Sequence, residues 1–192
     1  MEREVLFTGI GGQGVQLAAT ILARAATREG REVMTLGTYG GSMRGGNTDS
    51  TVLVADRAIS SPPIISRSWS AIGAHPRYWP ALHAKLRPDA VAVWNRELFG
   101  PEVEIGAATQ VPVEATRIAS EIGSPLASSL VLLGAFVCVT RLVSLDAALA
   151  AMEDSVPSYR REHLAKNAAA LRAGFASAPA KAAPAWPGEA AA

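Results

Sequence analysis

Residues 5–15 read Val5-Leu6-Phe7-Thr8-Gly9-Ile10-Gly11-Gly12-Gln13-Gly14-Val15. Val5 to Thr8 is a short apolar, β-prone run that stops on Gly9. Beyond the glycines, Val15, Ala19, Leu22 and Ala26 recur at helical spacing, so the local order is strand, glycine turn, helix. Gly30 ends that helix, and Glu32 to Leu36 reads as a second strand. Residues 4–36 therefore form a β-α-β unit with the crossover length that a parallel pair requires, and a right-handed parallel sheet is expected.

Downstream lies a glycine-rich loop, Gly37-Thr38-Tyr39-Gly40-Gly41-Ser42-Met43-Arg44-Gly45-Gly46-Asn47, long for its place, followed by a β-prone segment from Thr48 to Ala55. Ser60-Ser61-Pro62-Pro63 marks a turn, Trp79 to Leu86 reads as a helix, and Ala90 to Trp94 and Gln110 to Val113 read as strands. From Glu114 the pattern turns helical: Glu114 to Ile122, a buried helix from Pro125 to about Leu142, Leu145 to Met152, and a last helix from about Ser158 to Phe175. The expected fold is α/β, a doubly wound, mainly parallel Rossmann-like sheet with a helical C-terminal part. Residues 1–176 make one domain. Residues 177–192 form an Ala/Pro-rich extended tail, in which Trp186 is either a disordered residue or an anchor on a neighbouring subunit.

Composition narrows the functions. The chain has 192 residues, 18 Lys+Arg against 17 Asp+Glu, and no long basic run, which argues against a nucleic-acid partner. Its single cysteine, Cys138, excludes a disulfide framework and a Cys-ligated metal or iron–sulfur centre built by this chain alone. The acidic start Met1-Glu2-Arg3-Glu4 is no signal peptide, and the apolar run Leu130 to Val139 is about half the ~20 residues that span a bilayer. A cytoplasmic protein without a membrane span is expected.

Gly9 to Gly14 satisfies G-x-G-x-x-G and opens a helix, so its backbone N–H groups could receive a phosphate or carboxylate. A dinucleotide site also wants an acid at the end of the second strand, where this chain has Thr35-Leu36-Gly37. The glycines then serve either a tight structural turn or a loop facing a ligand or partner. Arg44-Gly45-Gly46-Asn47 stands where parallel folds bind ligands, with Tyr39 and Met43 adding contact surface; Arg44 either recognises a ligand or braces its own loop. If strands one and two are neighbours, both loops form one surface. The candidate ligand- or interface-facing residues are Gly11, Gly12, Gln13, Gly14, Tyr39, Met43, Arg44, Gly45, Gly46 and Asn47. His75, His83 and His163 lack metal-type spacing, Cys138 reads as core, and Asp49 and Asp56 read as residues that bracket a strand; no catalytic constellation emerges.

Together these residues resemble the gamma subunit, or gamma domain, of the thiamine-diphosphate-dependent 2-oxoacid:ferredoxin oxidoreductases, over roughly residues 4–175. The most specific parts are Gly9 to Val15 and Tyr39 to Asn47, followed by Val52, Val54 and Ile59-Ser60-Ser61-Pro62; Leu132-Leu133-Gly134-Ala135 and Lys166-Asn167 through Ala173-Gly174 add support. The resemblance implies a non-catalytic subunit of an enzyme that converts a 2-oxoacid to acyl-CoA and passes electrons to ferredoxin or a similar acceptor. It implies thiamine diphosphate, magnesium and iron–sulfur clusters in partner subunits (thiamine-binding alpha and beta types and an iron–sulfur subunit or domain), with coenzyme A as cosubstrate. This chain would supply subunit interface and help shape the coenzyme A approach. Two other readings stand beside it: a free-standing Rossmann-type NAD- or FAD-binding oxidoreductase, and a purely structural assembly scaffold.

Overall fold

The computed structural model describes residues 1–39, 45–60, 64–156, 158–180 and 182–186, the side chains at 38–39 and 158–160 apart. β1 (Glu2–Ile10) leads through the glycine turn into α1 (Val15–Arg28), which returns as β2 (Glu32–Tyr39). β3 (Asn47–Ala55), β4 (Ser68–Gly73), the short α2 (Trp79–His83), β5 (Leu86–Asn95) and β6 (Thr109–Val113) follow. The remainder is helical: α3 (Ala115–Glu121), α4 (Ser128–Thr140), α5 (Leu145–Ser155) and α6 (Leu164–Ser177). No helix among the described residues is long and apolar enough to cross a membrane.

The six strands form one mixed sheet in the order β2-β3-β1-β4-β5-β6. β1, β4, β5 and β6 pair in parallel, while β3 runs antiparallel to both β1 and β2. The expected α/β class and mainly parallel sheet are present. The expected adjacency of strands one and two is not: they point the same way, but β3 lies between them. Three local readings also change. β4 carries no signal that singled it out, Asp49 lies inside β3 instead of ending it, and the Trp79 helix stops at His83 because Leu86 already starts β5. The turn residues Ser61, Pro62 and Pro63 lie outside the described residues.

The parallel strands are apolar on both faces, as strands covered on both sides must be. On one face Val5, Phe7, Val52, Val93 and Val111 meet α1 and the C-terminal helices. On the other, Leu6, Ala71, Ala92 and Trp94 meet Trp79, Leu82 and Phe99 around α2, a thinner layer. All thirteen residues of α4 are buried, which explains a helix with no polar face. Its packing on α6 is backbone to backbone: a Cβ on Gly174 would collide with the Val131 carbonyl, and one on Gly134 with the Leu171 carbonyl. Contacts advance together along both helices, from Val131 with Gly174 to Cys138 with Ala178, so α4 and α6 run in the same direction.

The tail reading at Trp186 is corrected. The indole is 5% exposed and its Nε1 donates to the Leu142 carbonyl at 3.1 Å, while the Arg31 guanidinium lies 4.1 Å from the ring centroid. The N–H groups of Ala183 and Ala185 donate to the carbonyls of Val139 and Thr140. The α4 C-terminus leaves carbonyls without helical partners, and the proline-rich segment supplies donors for them. Trp186 is thus anchored, but on its own chain.

Candidate functional site

The glycine turn leaves the carboxyl end of β1 beside β4, where Ala74 N–H donates to the Thr8 carbonyl at 2.9 Å. In the half of the sheet that is parallel, such an edge is where ligands and partners are met. Gly14 occupies the N-cap of α1 at φ 78° and Gly12 sits at φ 104°, left-handed conformations that favour glycine. Gly9 serves a different need, because a Cβ there would come within 2.7 Å of Val15 Cγ2. Gln13 does not project its carboxamide outward: Oε1 accepts from Ile10 N–H at 3.0 Å, and Ser129 Oγ on α4 donates to the Gln13 carbonyl at 2.6 Å.

The two glycine motifs are joined directly. Gly11 N–H donates to the Gly46 carbonyl at 2.9 Å, and Gly45 N–H reaches the Gly11 carbonyl at 3.4 Å. This clamp extends the register that pairs Ile10 with Asn47 across β1 and β3. The two loops therefore meet through β3, and not because β2 lies against β1. Behind the clamp, Asp49 accepts from Thr8 Oγ1 at 2.7 Å through Oδ1 and from Asn47 Nδ2 at 2.8 Å through Oδ2. Gln16 Nε2 donates to the Asp49 carbonyl at 2.8 Å, with the Gln16 side chain against Gly37 of β2. The Asn47 Oδ1 atom is buried without a hydrogen-bond partner.

Gly11, Gly12, Gln13, Gly14, Gly45, Gly46 and Asn47 are thus brought together at one edge. Tyr39 closes β2, and Met43 and Arg44 lie outside the described residues. The residues that sequence reasoning missed are Thr8, Gln16, Asp49 and Ser129, whose roles depend on strands and helices far apart in the chain. Asp49→Ala should cost about 2 kcal/mol of stability, since it leaves the buried Thr8 hydroxyl and the Asn47 amide unpaired. Urea denaturation of the purified chain checks this; an unchanged midpoint would remove Asp49 from the support of the clamp.

The other candidate groups lie apart from this edge or are engaged. At the carboxyl end of β4, His75 Nδ1 accepts from Arg77 N–H at 3.1 Å, and burial, with help from Arg77, holds its pKa below the usual histidine value. The ring of His83 packs over Gly106. Cys138 is buried in α4, its thiol near the Ala178 carbonyl at 3.3 Å, and burial pushes its pKa up, as for an inert core thiol. Among the described residues, no three His, Cys, Asp or Glu side chains group to hold a metal ion.

These features define a mixed α/β domain that presents a clamped pair of glycine loops at the carboxyl edge of its parallel strands. The profile of the pyruvate ferredoxin/flavodoxin oxidoreductase family matches residues 4–177, and the chain belongs to that family. It is 32% identical over 181 residues to the 2-oxoglutarate synthase subunit KorC of Methanocaldococcus jannaschii, covering 91% of this chain and 93% of that protein. It is 31% identical over 185 residues to the pyruvate synthase subunit PorC of Methanothermobacter thermautotrophicus, covering 90% and 93%. In three dimensions it resembles the gamma subunit of the keto/oxoacid ferredoxin oxidoreductase of Geobacter sulfurreducens, with a TM-score of 0.80 at 26% identity over 92% of this chain and 96% of that one.

Proposed function

We propose that the chain is the gamma-type subunit of a multi-subunit, thiamine-diphosphate-dependent 2-oxoacid:acceptor oxidoreductase, and that its clamped glycine edge faces the thiamine-binding subunits. The observation that carries this reading is the Gly11–Gly46 clamp, which turns two separate sequence motifs into one surface within a chain that matches gamma-type relatives along nearly its whole length. A surface of backbone and small residues lets another chain or a cosubstrate approach closely. In this assembly the chain performs no bond-making step. The chemistry of thiamine diphosphate, magnesium and iron–sulfur clusters belongs to the alpha-, beta- and iron–sulfur-type partners, since a chain with a single cysteine cannot by itself supply the thiolates of an iron–sulfur cluster.

Relatives named for 2-oxoglutarate and for pyruvate share 32% and 31% identity with this chain. That supports placing the choice of 2-oxoacid on the partners, with this subunit serving what such reactions share, the coenzyme A approach. The test is reconstitution with alpha-, beta- and iron–sulfur-type subunits of such an enzyme. The isolated chain should show no turnover, and adding it should restore coenzyme A-dependent dye reduction by a 2-oxoacid. Arg44→Ala should then raise the KM for coenzyme A while leaving assembly intact. Turnover by the chain alone, or tight binding of NAD or FAD to it in calorimetry, would overturn the subunit reading; loss of assembly without a KM change would reduce the edge to a scaffold.

A further inference from the structure

A concavity of about 490 Å³ opens on the helical side of the glycine turn, sharing Gly12, Gly14 and Ser129 with it. α1, α4 and α6 all send their N-terminal ends toward it: Gly14 and Leu17 from the first, Leu126 and Leu130 from the second, His163 and Asn167 from the third. These helices have 14, 13 and 14 residues, none has an acidic residue in its first turn, and none has a side-chain N-cap hydrogen bond. α4 and α6 continue the 3-10 turns Pro125–Ala127 and Ser158–His163, so α1, entered directly from the glycine turn, is the helix that brings open N–H groups and its dipole to the cavity. The C-terminal end of α5 contributes Ser155 and Val156, and the Ser155 hydroxyl already accepts from Arg24 Nη1 at 3.1 Å.

Asn167 supplies the independent indication of a ligand. Its residue is only 9% exposed, it lines the cavity, and its carboxamide has no hydrogen-bond partner among the described residues. Its amide atoms are absent from the fully buried unpaired ones and so open onto the cavity, where a ligand oxygen can bond them. The walls select the rest of the ligand. Leu17, Leu126, Ala127, Leu130 and Val156 are apolar; among the described residues no Lys or Arg lines the space, and the titratable side chain there is His163, exposed beside Glu162. Among these lining residues a dianionic phosphate would meet no countercharge, whereas a monoanion with a hydrocarbon body would have both halves matched.

We propose that this cavity is a binding site for a small organic carboxylate with an apolar body, its carboxylate held by the α1 N-terminus and the Asn167 amide and its hydrocarbon part by Leu17, Leu126, Leu130 and Val156. The cavity shares Gly12 and Gly14 with the edge proposed to face the partner subunits, but ligand binding is read on the isolated chain, so its failure is distinguishable from failure of the subunit reading. The full chain is titrated with sodium octanoate by calorimetry and NMR, with 1-octanol and inorganic phosphate as controls. Octanoate should saturate one site, while octanol and phosphate should bind at least tenfold more weakly. Asn167→Asp should weaken octanoate at least tenfold. Leu126→Glu, at a residue 76% exposed and therefore safe for folding, should do the same by placing a like charge at the cavity mouth. No saturable octanoate binding, equal binding of octanol or phosphate, or undiminished affinity in folded Leu126→Glu would overturn the proposal.

Discussion

Gly174→Ala should destabilise the chain by about 3 kcal/mol, at the upper end for overpacking a well-filled core. The sign makes this result diagnostic. At an exposed helical position the same change would gain about 1 kcal/mol from helix propensity. Here the added methyl meets the Val131 backbone, with its carbonyl carbon at 2.7 Å, and neither helix can yield. α4 is buried on every side and α6 is held through Ala170 and Leu171. Gly134→Ala should behave alike, since its Cβ would lie 2.9 Å from the Phe175 nitrogen as well as against the Leu171 carbonyl. Guanidinium unfolding of each variant measures the effect; a midpoint at or above that of the parent chain would show that the two backbones are not in contact.

Trp186→Ala should cost about 3–5 kcal/mol, the usual range for removing a buried large aromatic side chain. At about 2–4 °C per kcal/mol for a chain of this size, the melting temperature should fall by roughly 10 °C. The indole loses both its hydrogen bond to Leu142 and its stacking with Arg31, and the loss reaches the neighbours. Arg3 Nε donates to the Ala185 carbonyl at 2.7 Å, so the segment also ties down the start of β1. Trp186→Phe should recover most of the packing but not the Leu142 bond, and should fall between the two. Calorimetric melting of the three proteins decides the matter; a melting temperature within a degree of the parent for Trp186→Ala would mean that the segment does not hold this position in solution.

What could be read from residues alone follows from which interactions are local. β1, the glycine turn and α1 were legible because the apolar run, the glycines and the helical spacing each act within a few residues. The partner of a strand is not local information, and the insertion of β3 between β1 and β2 left no mark on either. β4 was hidden by its chemistry. Ser68 and Ser70 look like solvent-facing residues, yet both are fully buried, and their hydroxyls both donate to the Glu4 carbonyl. The docking of Trp186 is hidden for a related reason: prolines announce an extended chain, but where it docks depends on the carbonyls at the end of α4. At the candidate site, glycines with positive φ were visible, whereas Asp49 looked like a strand terminator because its partners Thr8 and Gln16 arrive from other elements.

The place of β3 also constrains the order in which the molecule can assemble. β1 and β2 are separated by two strand spacings, about 10 Å, so they share no hydrogen bonds when residues 1–39 have left the ribosome. The N-terminal β-α-β segment, familiar elsewhere as an early folding unit, is here a frame with its middle missing. Only when residues through Ala55 have emerged can β3 fill it, pairing along its length with β2 on one side and β1 on the other. That same event brings Gly45 and Gly46 to Gly11. The surface proposed to meet the partner subunits is therefore completed with the N-terminal half of the sheet, so a nascent chain stopped before Ala55 would offer them nothing to bind.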